Sequence, residues 1–163
     1  MPGSTPDSGA GGARFRQVIG DGCDLCGIAD LSFDIAHANS VIEHVGAWPQ
    51  MVRFANEVVR VAPRHFVQTP NFWFAIEPHC MTPFFHWLPL PMRIWLVMHC
   101  QLGHWPRAGT LSEAMHIEED ARLLTRGMLQ ALFPHSQVLP ERVLGFWPKS
   151  FVALGGAAGE APR

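Results

Sequence analysis

Residues 33–71 read FDIAHANSVIEHVGAWPQMVRFANEVVRVAPRHFVQTPN. A short apolar run, Phe33, Ile35, Ala36 and Ala38, ends in the polar pair Asn39-Ser40. The spacing predicts a buried strand over Ser32 to Ala38. Ser40 to Val45 has room for one helical turn and carries the acid–base neighbours Glu43 and His44. Pro49 suits the first turn of a helix, where its missing donor costs nothing. Met51, Phe54, Ala55, Val58 and Val59 then recur at helical spacing and make one apolar face. Pro63 stops that helix. His65 to Thr69 reads as a second strand, closed by Pro70-Asn71. The order is strand, turn, helix, strand, with polar residues at the carboxyl ends of both strands. In open α/β sheets ligands bind at those ends.

Outward from this unit the pattern continues in both directions. Phe15 to Ile19 alternates and predicts a short strand, stopped by Gly20-Asp21-Gly22. Residues 1–13 are rich in Gly, Ser and Pro, carry little apolar surface, and are expected to be a disordered tail. They also lack the basic start and apolar core of a signal peptide. On the other side, residues 71–109 are rich in aromatic, His and Pro residues, without clean periodicity. A connection so long and apolar is expected to be a cap over a pocket, with a helix near Met92 to Leu102. Thr125 is placed to cap a helix over Arg126 to Leu132. Ser136 to Leu144 and Lys149 to Leu154 predict an antiparallel pair around Gly145-Phe146-Trp147-Pro148, and residues 156–163 a second disordered tail.

The chain has 163 residues and a formal net charge of −2, so one domain with a real core is expected and no bulk attraction to nucleic acid or anionic membrane exists. Four cysteines are too few for a disulfide framework, which points to a reducing, cytoplasmic location. Cys80 to Leu102 is apolar, but Pro83, His86, Pro89, Pro91, Arg93 and His99 interrupt it. A spanning helix needs about 20 mostly apolar residues, so no transmembrane segment is expected, and peripheral membrane contact stays open.

Three elements at family-like spacing, Gly20-Asp21-Gly22, Ser32-Phe33-Asp34 and Val41-Ile42-Glu43-His44-Val45, carry a resemblance. With the terminal LFPHSQVLPERVLGFWPKSFVAL, the chain over about residues 15–155 resembles a class I S-adenosylmethionine (SAM)-dependent methyltransferase of the type 11 group. The resemblance implies an α/β fold: an incomplete, Rossmann-like methyltransferase sheet, mainly parallel, with a C-terminal antiparallel hairpin. The family's glycine-rich loop after its first strand, and the acid after its second, have no counterpart here. Gly9, Gly11 and Gly12 follow no apolar strand. The chain therefore reads as lacking the first two strands, residues 14–155 forming a partial domain. The family's fourth strand then becomes an open edge, through which self-association is open, and weak or no SAM binding is expected of this chain alone.

The resemblance also assigns roles. Asp21 and Gly22 would meet the adenine of SAM, although Asp-Gly is a turn signal in its own right. Asn39 and Ser40 would lie against the amino-acid part of SAM, although Ser40 equally suits a helix cap. Glu43, His44 and His79 are the candidate catalytic residues, a histidine beside a carboxylate being able to take an acceptor's proton. The competing reading of His44 is a partly buried histidine bonded to backbone. Ubiquinone-type O-methyltransferases carry a further Glu three residues before this pair and hold a divalent ion there; Ser40 occupies that place, and no metal is assigned. Asn71, Glu77, Trp73 and Trp87 are the candidate substrate contacts, in a run like the family's Pro-Asn-x-x-Phe-x-x-Glu-Pro-His; hydrogen bonds that merely fix the cap, and core packing of the rings, are the alternatives. The expected function is methyl transfer to a small or apolar acceptor, impaired in this chain. The alternative is a non-catalytic remnant that binds a partner or itself. Cys23-x-x-Cys26 with histidines offers a third, zinc-binding reading.

Overall fold

The computed structural model describes residues 16–156. The expected tails at 1–13 and 156–163 lie outside them, except for Gly156. Four strands form a single mixed sheet: β1 (Ala36–Asn39), β2 (His65–Pro70), β3 (Gln137–Val143) and β4 (Trp147–Gly155), in spatial order β1-β2-β4-β3. Only β1 and β2 run parallel; β2 with β4, and β4 with β3, are antiparallel. The sheet is thus mixed rather than mainly parallel. Two observations account for the correction. The second strand of the closing hairpin, not its first, lies against β2, so the hairpin makes two antiparallel interfaces. And the strand expected at Phe15–Ile19 does not form: Arg16–Ile19 are unpaired and exposed, Ile19 at 96 % (Phe15 is outside the described residues). A strand needs a neighbour for its N–H and C=O groups, and Arg16–Ile19 pair with none of the described strands.

Helix α1 (Trp48–Val61) joins β1 to β2. Pro49 lies in its first turn, and Ala62, held extended by the proline that follows, ends it. Its buried residues, Met51, Phe54, Ala55, Val58 and Val61, lie on one face, and the first four pack on the sheet. Full burial of each larger member is worth roughly 2 kcal/mol. Val59, counted on that face from its spacing, is 49 % exposed. On the outer side Arg60 gathers the preceding chain. Its guanidinium donates to the carbonyls of Leu25 and Ile28 and to Asp30 and Glu57, while Glu57 accepts from Leu25 N–H. The Arg60 hydrogen bond holds the Glu57 carboxyl below its usual range.

Helix α4 (Arg126–Leu132) covers the same face of the sheet, its first turn capped by Thr125 Oγ1 accepting from Met128 N–H at 3.3 Å. Between β2 and α4 the chain leaves the body and forms α2 (Leu90–His99) and α3 (Leu111–Glu119). These pack on an apolar cluster of their own, Cys80, Phe85, Ile94, Val97, Leu102, Ala108 and Ala114, and Arg93 pairs with Glu118 across them. The chain departs at Asn71 and returns at Leu124, and these two residues are bridged side by side. No helix among the described residues is long and apolar enough to cross a membrane.

At the far end of the sheet, Gly155 faces His65. A Cβ there would come within 1.9 Å of the imidazole ring, so only glycine lets β4 pair at this level. His65 Nε2 bonds Ser136 Oγ at 2.7 Å, and its Nδ1 is buried without a partner. Burial lowers the His65 pKa from 6.5, because the charged ring would be cut off from water. The sign follows directly. As pH falls through the unfolded value of about 6.5, the unfolded chain takes the proton first, so stability held above that pH is withdrawn below it. Melting curves of the parent should therefore lose more between about pH 7.5 and 5.5 than those of His65→Gln. Equal losses would show that another group carries the acid response.

Candidate functional site

Because β1 and β2 are parallel, their carboxyl ends meet at one rim. Ser40 leaves β1 with φ at 53°, a left-handed geometry uncommon outside glycine and asparagine. Its side chain does not cap the following turn; its N–H and hydroxyl lie 3.1 Å from Gln68 Oε1 on β2. A single 3-10 turn, Ile42–His44, follows. Ile42 is fully buried and anchors it, which turns Glu43 into the interior at 1 % exposure.

Glu43 is held from two sides. Thr69 Oγ1 of β2 donates to its Oε2 at 3.0 Å, and its backbone carbonyl accepts Arg122 N–H at 2.8 Å. Its other oxygen, Oε1, is buried with no hydrogen-bond partner. Beside it, His44 Nδ1 donates to the Asp120 carbonyl at 3.0 Å, with the Asp120 carboxylate at 3.5 Å. The cap supplies the third member. His79 lies edge-on to His44, ring centres 4.9 Å apart, and its Nδ1 donates to Glu77 Oε1 at 2.7 Å. Glu77 Oε2 accepts the Cys80 N–H at 2.7 Å, so the carboxylate closes its own turn and aims the histidine. The hydrogen bond to Glu77 raises the His79 pKa, against burial, with the Glu77, Glu43 and Asp120 charges helping. For Glu77 burial pushes upward, but the hydrogen bonds from His79 and Cys80 N–H win, and its pKa is lowered. One ligand atom from each of Glu43, His44 and His79 lies within 4.8 Å of the others.

The remaining expected site residues are dispersed. Asn71 is buried and fully engaged: Nδ2 donates to the Pro148 carbonyl at 2.8 Å and Oδ1 accepts Trp73 N–H at 3.0 Å. It braces the exit of the cap. Asp21 and Gly22 sit in a local turn, Asp21 Oδ1 accepting Cys23 N–H, with Gly22 over Phe54 of α1; none of their hydrogen bonds reaches the cluster. Asn39 ends β1 and is exposed. Trp73 and Trp87 are 62 % and 40 % exposed and form an outer aromatic patch with Phe84.

An open cavity lies elsewhere in the cap. A cavity of about 420 Å³ is bounded by Phe72, Glu77, Phe85, Arg93, Trp105 and Arg122. Glu77 belongs both to this cavity and to the His79 pair, so the cavity adjoins the cluster at that residue. Cys23 and Cys26 do not join a histidine cluster among the described residues; burial and the nearby Asp21 raise the Cys23 pKa, which disfavours a reactive thiolate.

Sequence reasoning named Glu43, His44 and His79 one by one but not their meeting, nor Thr69 and Asp120, which hold two of them. Comparison of the chain with protein-family models, curated proteins and solved structures finds no match.

The Thr69–Glu43 bond is open to direct test. Thr69→Val keeps the shape but leaves a buried carboxylate without a donor, and should cost about 2 kcal/mol in urea unfolding. With Glu43→Gln already in place the same change should cost less than about 1 kcal/mol, since no charge is then stranded. Equal costs in both backgrounds would mean that the bond does not hold the carboxylate.

Proposed function

We propose that this chain forms the acceptor-side portion of a SAM-dependent methyl-transfer domain that acts on a small or apolar acceptor. The observation that carries the reading is the meeting of Glu43, His44 and His79 at the shared carboxyl end of the parallel strands β1 and β2, where open α/β sheets bind ligands. Two further features favour it. Among the described residues no strand lies on the outer side of β1, as would be so if the two strands before it in the resemblance were missing, and a cavity lined by both aromatic and charged residues abuts the cluster. In a complete domain SAM would supply the methyl group. The residues present do not make a cradle for it: no glycine-rich loop follows an apolar strand, and Asp21 and Gly22 form an exposed turn.

The chemistry on this side is that of the acceptor. An acceptor hydroxyl directed at the cluster meets imidazole nitrogens able to take its proton. The cavity, whose lining mixes Phe72, Phe85 and Trp105 with Glu77, Arg93 and Arg122, offers space for the rest of the molecule. Positioning then contributes most of the acceleration. SAM titrated into this chain should give no heat of binding at micromolar affinity. A chain extended by the in-frame codons preceding Met1 should bind it, if those codons encode a strand followed by Gly-x-Gly-x-Gly. Micromolar binding by this chain alone, or no binding by such an extended chain, would overturn the reading.

A second reading, a non-catalytic remnant that pairs through its sheet, is favoured by one feature. Beside the unpaired edge of β1 lies an apolar groove of about 290 Å³, bounded by Phe33, Ala36, Ala38, Val41, Phe54 and Val58. Light scattering on the eluted protein separates the two. A dimer that dissociates on placing a lysine at Ala36 supports the remnant, and a monomer at all concentrations removes it.

A further inference from the structure

Glu43 Oε1 is buried with no hydrogen-bond partner, and a carboxylate oxygen of Glu43 lies within 4.8 Å of a ring nitrogen of each of two histidines. A carboxylate oxygen buried in this way costs free energy unless something positive meets it. Each histidine has its Nδ1 fixed, that of His79 by the Glu77 carboxylate and that of His44 by the Asp120 carbonyl. In the neutral ring that leaves Nε2 as the lone-pair nitrogen, and a cation there displaces any proton it carries. This is the outer-sphere arrangement that metal-binding histidines show: the far N–H donates to a carboxylate or a backbone carbonyl, which sets the tautomer and the ring plane.

From this we infer that Glu43, His44 and His79 form a binding site for a first-row divalent metal ion of the zinc class. The three ligand atoms lie within 4.8 Å of one another. Ligands about 2.1 Å from one tetrahedral ion sit roughly 3.4 Å apart, so small side-chain rotations close the set. The donor set selects the ion. Two imidazoles and one carboxylate suit zinc, iron, cobalt or nickel, whereas calcium and magnesium take oxygen ligands. Three protein ligands leave a coordination position open, as in catalytic rather than structural sites. That position takes water or an anionic oxygen such as a phenolate or carboxylate. The ligands come from two parts of the chain, Glu43 and His44 from the body and His79 from the cap, so the ion also ties the cap down.

The site does not rest on methyl transfer. It binds metal whether or not a methyl donor binds, and its failure leaves the imidazoles free as bases.

The test uses the full chain stripped with a chelator and titrated with Zn²⁺ alone. The expected result is a single ion per chain at about micromolar affinity or tighter, undiminished by millimolar Mg²⁺. Glu43→Gln and His79→Gln should each weaken binding at least about tenfold, and Glu77→Gln, which removes the charge beside His79 and leaves one acceptor oxygen for the His79 and Cys80 N–H groups, by about 10- to 100-fold. Cys23→Ser with Cys26→Ser should leave it unchanged. Co²⁺ bound to the unsubstituted chain reports independently of any variant's folding: visible d–d bands without a thiolate charge-transfer band are expected. No stoichiometric zinc binding, affinity that survives Glu43→Gln and His79→Gln, displacement by Mg²⁺, or a thiolate band would each overturn the site.

Discussion

The rim of the sheet is organised by a carboxylate held in the dry interior. Glu43 is nearly inaccessible to water, and what holds it there is a hydroxyl from the neighbouring strand and a backbone N–H from the segment before α4. A charge in such a place must be matched or it drives the structure apart. Two parts of the chain meet at that carboxylate, the turn after β1 and the end of β2, while the return from the cap is tied to the backbone carbonyl of Glu43. His44 sits beside Glu43 because the turn carries it there, and Asp120 meets His44 because Arg122 is already bonded to Glu43. The cluster thus forms around an acid buried at the meeting point of two parallel strands, with its third member aimed separately by Glu77.

Most of the regular structure was legible because its signals are local. Thr125 before Met128 and Leu129 marked the start of α4, and the bonded cap agrees with it. Pro49 and Pro63 bracketed α1 to within a residue or two. Strand β2 and the closing hairpin were visible from short apolar runs and turn residues. What failed was non-local. Phe15–Ile19 had the alternation of a strand, but alternation does not provide a neighbour, and none of the described strands lies beside Arg16–Ile19. The sheet's mixed character was hidden for the same reason, since no local pattern says which strand of a hairpin turns toward the centre.

The site divided along the same line. Ser40 was assigned to the amino-acid part of SAM, with a helix cap as the alternative; in the fold it caps no turn and its hydroxyl goes to Gln68 on β2. The run Glu77-Pro78-His79-Cys80 holds a short-range arrangement, a carboxylate bonded to a ring two residues on and to an N–H three residues on, that local reasoning was able to find. Its meeting with His44 depends on how the cap returns and was out of reach of spacing. Trp73 and Trp87 were chosen for their size, but the rings that bound the cavity are Phe72, Phe85 and Trp105.

The paired crossing at Asn71 and Leu124 has an architectural meaning. The excursion between them has its own apolar centre and enters and leaves through adjacent backbone positions. A loop so anchored behaves as a cassette: its length and lining can change without re-threading the four strands beneath. Divergence in what this scaffold accepts would accumulate in the cassette, while the strand ends that receive it stay as they are.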